Sequence, residues 1–254
     1  MKQVYSRPRY LKPVSSHYCP GCGHSITHRL VAEVLEEMEL GEKTIAVAPA
    51  GCAVLAYNYW DIDVVEAAHG RGAAVATGIK RMNPEHLVFT YQGDGDLAAI
   101  GTAETIHAAS RGENVTIIFI NNAIYGMTGG QMAPTTLLGM KATTAPAGRA
   151  AKREGYPLDI SHLCAEIPGS AFVTRVMVTS PKTINQTKKA IRAAFECQLA
   201  GLGFSLVEVL SPCPTNWKMT PLDSCRWVET TLAEHFKPGV LADRRPAAAS
   251  PEGQ

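Results

Sequence analysis

Two apolar runs in this chain, residues 87–91 and 115–120, each open onto a short polar cluster: Gly93-Asp94-Gly95-Asp96 after the first and Asn121-Asn122 after the second. Between them Leu97, Ile100 and Ile106 recur at helical spacing, which predicts a helix over residues 97–110. Strand, glycine-rich turn, helix and strand make one βαβ step. Parallel strands need such a crossover, and its handedness is nearly fixed, so the step limits the chain to a small set of layered folds.

The rest of the chain extends the pattern. Further strands are expected at residues 44–48, 172–178 and 204–210, and further helices at 24–38, 72–81 and 181–199, with Gly41 closing the first helix. The fold class this predicts is α/β, a doubly wound and mostly parallel sheet. Residues 1–241 are expected to form one domain and residues 242–254, rich in Pro, Ala, Ser and Arg, a disordered tail. The segment 123–153 is too long for a plain connection and is expected to be a functional loop.

Composition narrows the function. Lysine plus arginine number 24 against 23 aspartates and glutamates, without a basic block interleaved with aromatics, so nucleic acid is not an expected partner. No apolar stretch approaches the roughly 20 residues that span a bilayer, and the N-terminus lacks an apolar signal core, so no membrane partner and a cytoplasmic location are expected. Seven cysteines, an odd number in a chain of this size, read as reduced thiols or metal ligands rather than disulfides.

Gly93-Asp94-Gly95 at a helix N-terminus offers free backbone N–H groups to an anion. The run 93–98 also fits the dinucleotide pattern G-x-G-x-x-A. Against that reading, Asp94 would repel a pyrophosphate bound directly, and the next strand ends in Asn121-Asn122 where a ribose-binding acid belongs. A magnesium ion between protein and diphosphate reconciles both. Asp94 supplies a carboxylate, Asn122 a side-chain carbonyl and Ile124 a backbone carbonyl, leaving positions for phosphate oxygens and water.

Cys19 and Cys22 form a C-x-x-C pair across Pro20-Gly21, which suits a zinc half-site, a redox disulfide or part of an iron–sulfur site. Cys52, in Ala50-Gly51-Cys52-Ala53, and Cys213 each follow a predicted strand, where parallel sheets build sites; Cys225 rivals Cys213. Cys164 and Cys197 sit among apolar residues as core thiols. His24 and His28 are expected to be solvated or capping, and Glu33, Glu36 and Glu37 to lie on an exposed helix face. His69-Gly70-Arg71-Gly72 precedes a helix and is a candidate contact for diphosphate or substrate.

Gly93-Asp94-Gly95 through Asn121-Asn122 resembles the thiamine diphosphate motif, and residues 122–131 (Asn-Ala-Ile-Tyr-Gly-Met-Thr-Gly-Gly-Gln) are similar to a segment of the beta subunits of 2-oxoacid:ferredoxin oxidoreductases. With the cysteines, the resemblance covers most of residues 18–214. It implies CoA-dependent oxidative decarboxylation of a 2-oxoacid to acyl-CoA and carbon dioxide, with electrons passed to ferredoxin. It implies thiamine diphosphate and Mg2+ held among Ala50, Gly51, Cys52, Ala53, His69, Gly70, Gly93 to Asp96, Asn122, Ile124, Gly126 and Met127, and a [4Fe–4S] cluster on Cys19, Cys22, Cys52 and Cys213. His69 and Arg71 become candidate catalytic residues. The glutamate that thiamine needs beside its aminopyrimidine is supplied in that family by an alpha subunit, with gamma or delta ferredoxin-like subunits as further partners. Residues 53–56, Ala-Val-Leu-Ala, bring no cation for a second carboxylate, so a branched-chain or other apolar 2-oxoacid is favoured over 2-oxoglutarate. The rival readings are a non-redox thiamine enzyme, a noncatalytic assembly subunit and a nicotinamide-binding protein.

Overall fold

The computed structural model describes residues 6–246. Its strands in chain order are β1 (Thr44–Ala48), β2 (Asp63–Glu66), β3 (Leu87–Gly93), β4 (Thr116–Asn121), β5 (Ile124–Tyr125), β6 (Gln131–Met132), β7 (Ser170–Met177), β8 (Phe204–Leu210) and β9 (Gly239–Asp243). Its α-helices are α1 (His24–Glu37), α2 (Gly72–Met82), α3 (Thr102–Ser110), α4 (Ala151–Glu154), α5 (Ile160–Glu166), α6 (Pro181–Leu199), α7 (Pro214–Trp217), α8 (Pro221–Trp227) and α9 (Ala233–His235). Seven strands form one sheet in the order β2-β1-β3-β4-β8-β7-β9, parallel throughout except for β9, which runs antiparallel to β7. The α/β, mostly parallel fold expected from the sequence is the fold observed.

Both faces of the sheet are covered, which is why its central strands are apolar in near-continuous runs. On one face Leu30, Val31, Val34 and Leu35 of α1 and Ile191, Ala194 and Phe195 of α6 pack on Phe89, Ile118 and Val207. On the other, Ala73 and Ala76 of α2, Ala108 of α3 and Ile160 and Cys164 of α5 pack on Val88, Ile117, Phe119 and Leu206. Helix α6 starts with a capping box between Ser180 and Thr183 and a proline at its first turn.

Several local expectations are corrected. Gly41 does not close α1; the chain turns at Glu39, whose φ is 55°, and Gly41 opens a 3-10 turn where a Cβ would overlap the Tyr10 ring. Glu36 and Glu37 of α1 are exposed as expected, but Glu33 is half-buried, and α6 packs against that side: Lys188 pairs with both Glu33 and Glu37, and Arg192 with Glu37. The helix expected at 97–110 is split, with a π-turn at Asp96–Ile100 and Gly101 ahead of α3. The first residues of the expected tail are ordered. Residues 242 and 243 complete β9, and the Arg244 guanidinium donates to the carbonyls of Ser170 and Ala165 at 2.8 Å each. The remainder of that segment, 247–254, lies outside the described residues.

Candidate functional site

The loops that leave the carboxyl ends of β1, β2, β3, β4 and β8 converge at one edge of the sheet. That is where an open parallel sheet places its ligands, because successive loops diverge there and leave a crevice. A cleft of about 230 Å³ opens among them, lined by Ala50, Gly51, Cys52, Ala53, His69, Gly93 to Asp96, Asn122, Ile124 and Tyr125 to Thr128, with His24 at its back. Of the predicted cofactor contacts only Gly70 is missing from this lining, and its backbone N–H donates to Asp96 Oδ1 at 2.6 Å.

Asp94 is the electrostatic centre of the cleft. It is 3% exposed, and its carboxylate accepts only from neutral donors: Gly95 N–H at 2.8 Å, Ile124 N–H at 3.2 Å and the Thr135 hydroxyl at 2.7 Å. Burial pushes its carboxyl up to about 6, against the pull of those hydrogen bonds. Asp94 is in none of the chain's ion pairs among the described residues. A buried carboxylate held in this way lacks the countercharge that burial demands. With the Asn122 side-chain oxygen and the Ile124 backbone beside it, the donor set is hard oxygen, which suits magnesium completed by phosphate oxygens.

Asp96 has a different task. Its carboxylate takes His69 Nδ1 at 2.6 Å, Gly70 N–H and Gln92 Nε2 at 2.5 Å, so it ties the loop after β2 to the loop after β3. His69 therefore faces the cleft in a fixed orientation. Arg71 does not line it; its guanidinium pairs with Glu104 instead. A Cβ on Gly95 would overlap the Tyr125 ring, so glycine there lets that ring close over the turn.

The thiols occupy the other end. Cys52 lines the cleft, and a Cβ on Gly126 would stand 3.3 Å from Cys52 Sγ and 3.7 Å from Cys213 Sγ. Cys22 N–H closes a turn on Cys19 O at 3.0 Å, and Asn216 Nδ2 donates to Cys213 Sγ at 3.4 Å and to Gly126 O at 3.0 Å. Burial pushes the Cys22 thiol up to about 12, reinforced by the charges of Cys213, Cys52 and Cys19; burial also raises Cys52 to about 11, with Cys213 and Cys19 adding to it. Burial raises Cys213 as well, so Cys22, Cys52 and Cys213 are thiols that an iron–sulfur cluster would deprotonate on binding. Cys225, on α8, is raised by burial and by Glu229, with no contribution from Cys19, Cys22, Cys52 or Cys213. Among the described residues no three Cys, His, Asp or Glu side chains meet closely enough to hold a single metal ion. A cubane, which carries its own irons and sulfides between its ligands, needs cysteines around it rather than at one point. Cys164 and Cys197 are buried in the core, as expected.

Some residues around the cleft differ from what the sequence led one to expect. His24 and His28 are not solvated: both are 2% exposed, and burial pushes His24 down to about 3. His24 Nδ1 bonds the Tyr91 hydroxyl at 2.7 Å, and Tyr18, stacked on His24, donates to Cys52 O at 2.8 Å. Their i,i+4 spacing on the buried side of α1 was the available clue. Thr135 reaches Asp94 from the long segment after β4, which is folded around Arg149. That guanidinium donates to the carbonyls of Pro134 and Thr136 at 2.7 Å and of Tyr156 at 2.6 Å.

Residues 44–209 match the thiamine pyrophosphate enzyme family through its C-terminal TPP-binding domain. The ketoisovalerate oxidoreductase subunit VorA of Methanothermobacter marburgensis is 44% identical over 244 residues, 96% of this chain and 51% of that protein. The chain thus spans about half the length of that relative. The 2-oxoglutarate synthase subunit KorB of Archaeoglobus fulgidus is 38% identical over 240 residues, 93% of this chain and 83% of that protein. Among solved structures, a 2-oxoglutarate:ferredoxin oxidoreductase from Magnetococcus marinus, with 2-oxoglutarate, coenzyme A and succinyl-CoA bound, superposes with a TM-score of 0.78 at 24% identity, over 96% of this chain and 87% of that one. At that identity the likeness speaks for the fold.

Proposed function

The chain belongs to the thiamine pyrophosphate-binding subunits of the 2-oxoacid:ferredoxin oxidoreductases, and from that premise we propose that it supplies the diphosphate- and cluster-binding half of a CoA-dependent enzyme. The reaction is oxidation of a 2-oxoacid and CoA to acyl-CoA and carbon dioxide, with the two electrons leaving through a [4Fe–4S] cluster to ferredoxin. The observation that carries the proposal is Asp94: a buried carboxylate without a cation partner among the described residues, in a cleft that Cys52 also lines.

In this reading Asp94, the Asn122 side chain and the Ile124 carbonyl would hold Mg2+ and, with it, the diphosphate. Bound thiamine diphosphate supplies the nucleophilic carbon and electron sink that decarboxylation of a 2-oxoacid requires. The protein orients and encloses: Tyr125 covers the Gly95 turn, His69 is fixed by Asp96 toward the reacting end, and the apolar Ala53 wall excludes water. Cys19, Cys22, Cys52 and Cys213 would hold the cluster. No glutamate lines the cleft, so the carboxylate for the aminopyrimidine comes from an alpha subunit. Ferredoxin-like gamma or delta subunits extend the electron path.

Neither lysine nor arginine lines the cleft, and Arg71 is occupied by Glu104. A second substrate carboxylate therefore meets no cation from this chain, which favours a branched-chain or other apolar 2-oxoacid. The ketoisovalerate name of the 44% identical relative agrees with that choice.

The test is iron, acid-labile sulfide, zinc and thiamine content of the chain purified anaerobically after co-expression with its neighbouring subunits. About four irons and four sulfides per chain, as one cubane requires, together with one thiamine, are expected, followed by 2-oxoacid- and CoA-dependent reduction of a viologen. Thiamine with zinc or without iron would remove the electron-transfer half; no thiamine would overturn the reading.

A further inference from the structure

The turn that presents Asn122 and Ile124 to the cleft is in an unfavourable backbone conformation. Ala123 has φ of 57° and is fully buried. In that left-handed region a Cβ crowds the following carbonyl, and alanine lacks the short polar side chain with which asparagine or aspartate offsets the cost. Something outside the residue must hold it.

Two groups reach it: the Thr136 hydroxyl donates to the Ala123 carbonyl at 2.5 Å, and Asn121 holds the Ala123 N–H. Asn121 Oδ1 accepts that N–H at 3.1 Å, two residues on, while its Nδ2 donates to Glu208 Oε1 at 2.7 Å. Glu208 Oε2 in turn accepts Arg175 Nε at 2.6 Å, and Arg175 Nη2 donates to Asp159 Oδ1 at 2.5 Å. Asn121, Glu208 and Arg175 are each at most 1% exposed. Strand register explains the alignment: Arg175 on β7 is directly paired with Glu208 on β8, and Phe119, two residues before Asn121 on β4, is paired with the same Glu208. Side chains two residues apart share a sheet face, so the three polar groups form one row across three strands. The only donor Asn121 can offer Glu208 is its amide NH2, which turns the amide oxygen toward Ala123.

We infer that Asn121, fixed by the buried Glu208–Arg175 pair, is a positioning residue that holds Ala123 left-handed and so preorganises Asn122 and Ile124 opposite Asp94. This rests on the diphosphate reading of the cleft. The network touches neither the cleft nor the thiols; it acts through one backbone N–H.

The test is Mg2+-dependent binding of thiamine diphosphate to the full chain co-purified with its partner subunits, measured by calorimetry, with circular dichroism to confirm folding. Asn121→Ala is expected to weaken binding about tenfold, since cofactor must then pull the turn into place. Adding Ala123→Gly should restore affinity to within about threefold, because glycine enters positive φ freely. A structural defect of any other kind would not be cured by that glycine. An independent pair exchanges donor and acceptor: Asn121→Asp sets two carboxylates against each other and should lose binding, whereas Asn121→Asp with Glu208→Gln should regain it. If Asn121→Ala fails to fold, this second pair decides. Wild-type affinity in Asn121→Ala, or failure of both rescues, would overturn the inference. Absence of binding by the wild-type complex would instead overturn the cofactor reading.

Discussion

Replacing Asp94 by Asn should stabilise the cofactor-free protein while abolishing cofactor binding. In the folded chain burial raises the Asp94 carboxyl from 3.8 to about 6. At about 1.4 kcal/mol per unit, keeping it ionised at pH 7 costs the folded state about 3 kcal/mol. The sign follows from linkage: between those two values the folded form holds the proton more tightly than the unfolded form, so stability falls as pH rises through that window. Asparagine removes this cost but turns an NH2 toward the donors Ile124 N–H and Thr135 hydroxyl, losing about 1 kcal/mol of hydrogen bonding. The net gain is about 2 kcal/mol, or about 4–8 °C in Tm for a domain of this size. Thermal unfolding of chelator-treated, thiamine-free protein measures it. The gain should shrink as pH drops from 7 toward 4. With Mg2+ and thiamine diphosphate at a hundred times the dissociation constant, wild type should gain about 2.7 kcal/mol by mass action and Asp94→Asn nothing, so the order of stability reverses. An Asp94→Asn protein that is less stable than wild type without cofactor at pH 7, or that is stabilised equally by cofactor, would refute the reasoning.

Cys213→Ser should abolish bound iron and its visible absorption, whereas Cys225→Ser should leave both unchanged, because Cys225 is electrostatically separate from the other four thiols; iron and sulfide assays decide. Gly95→Ala should displace the Tyr125 ring and weaken thiamine diphosphate binding at least tenfold with little change in Tm, read by calorimetry and thermal unfolding. Arg175→Met leaves Glu208 buried without its cation and should destabilise the chain by about 3–5 kcal/mol, seen as a lower denaturant midpoint.

The ends of the central strands were legible in the sequence and the arrangement around them only partly so, for a physical reason. A strand buried on both faces writes itself as an apolar run, so residues 44–48, 87–91, 115–120 and 204–210 were found close to β1, β3, β4 and β8. The edge strands β2 and β9 were not, because Asp63–Glu66 and Gly239–Asp243 are largely exposed and carry polar residues. The same limit applies to the site. Asp94 and Asn122 directly follow β3 and β4, and Cys52 lies in the loop just after β1, so finding the strand finds the residue. Thr135, 41 positions from the carboxylate it donates to, and Glu208, inside a strand that reads as apolar and bonded to Asn121 behind the cleft, find their partners only once strand order is known. Cys213 illustrates the step. From sequence it and Cys225 were alternatives; the sheet sets β8 beside β4, so the loop after β8 joins those after β1 and β4 and brings Cys213 beside Gly126 and Cys52. What the sequence could not state was neighbourhood across the sheet. The fold supplies it by register, and register is what turns Asn121 from the last residue of a strand into the residue that sets the turn beyond it.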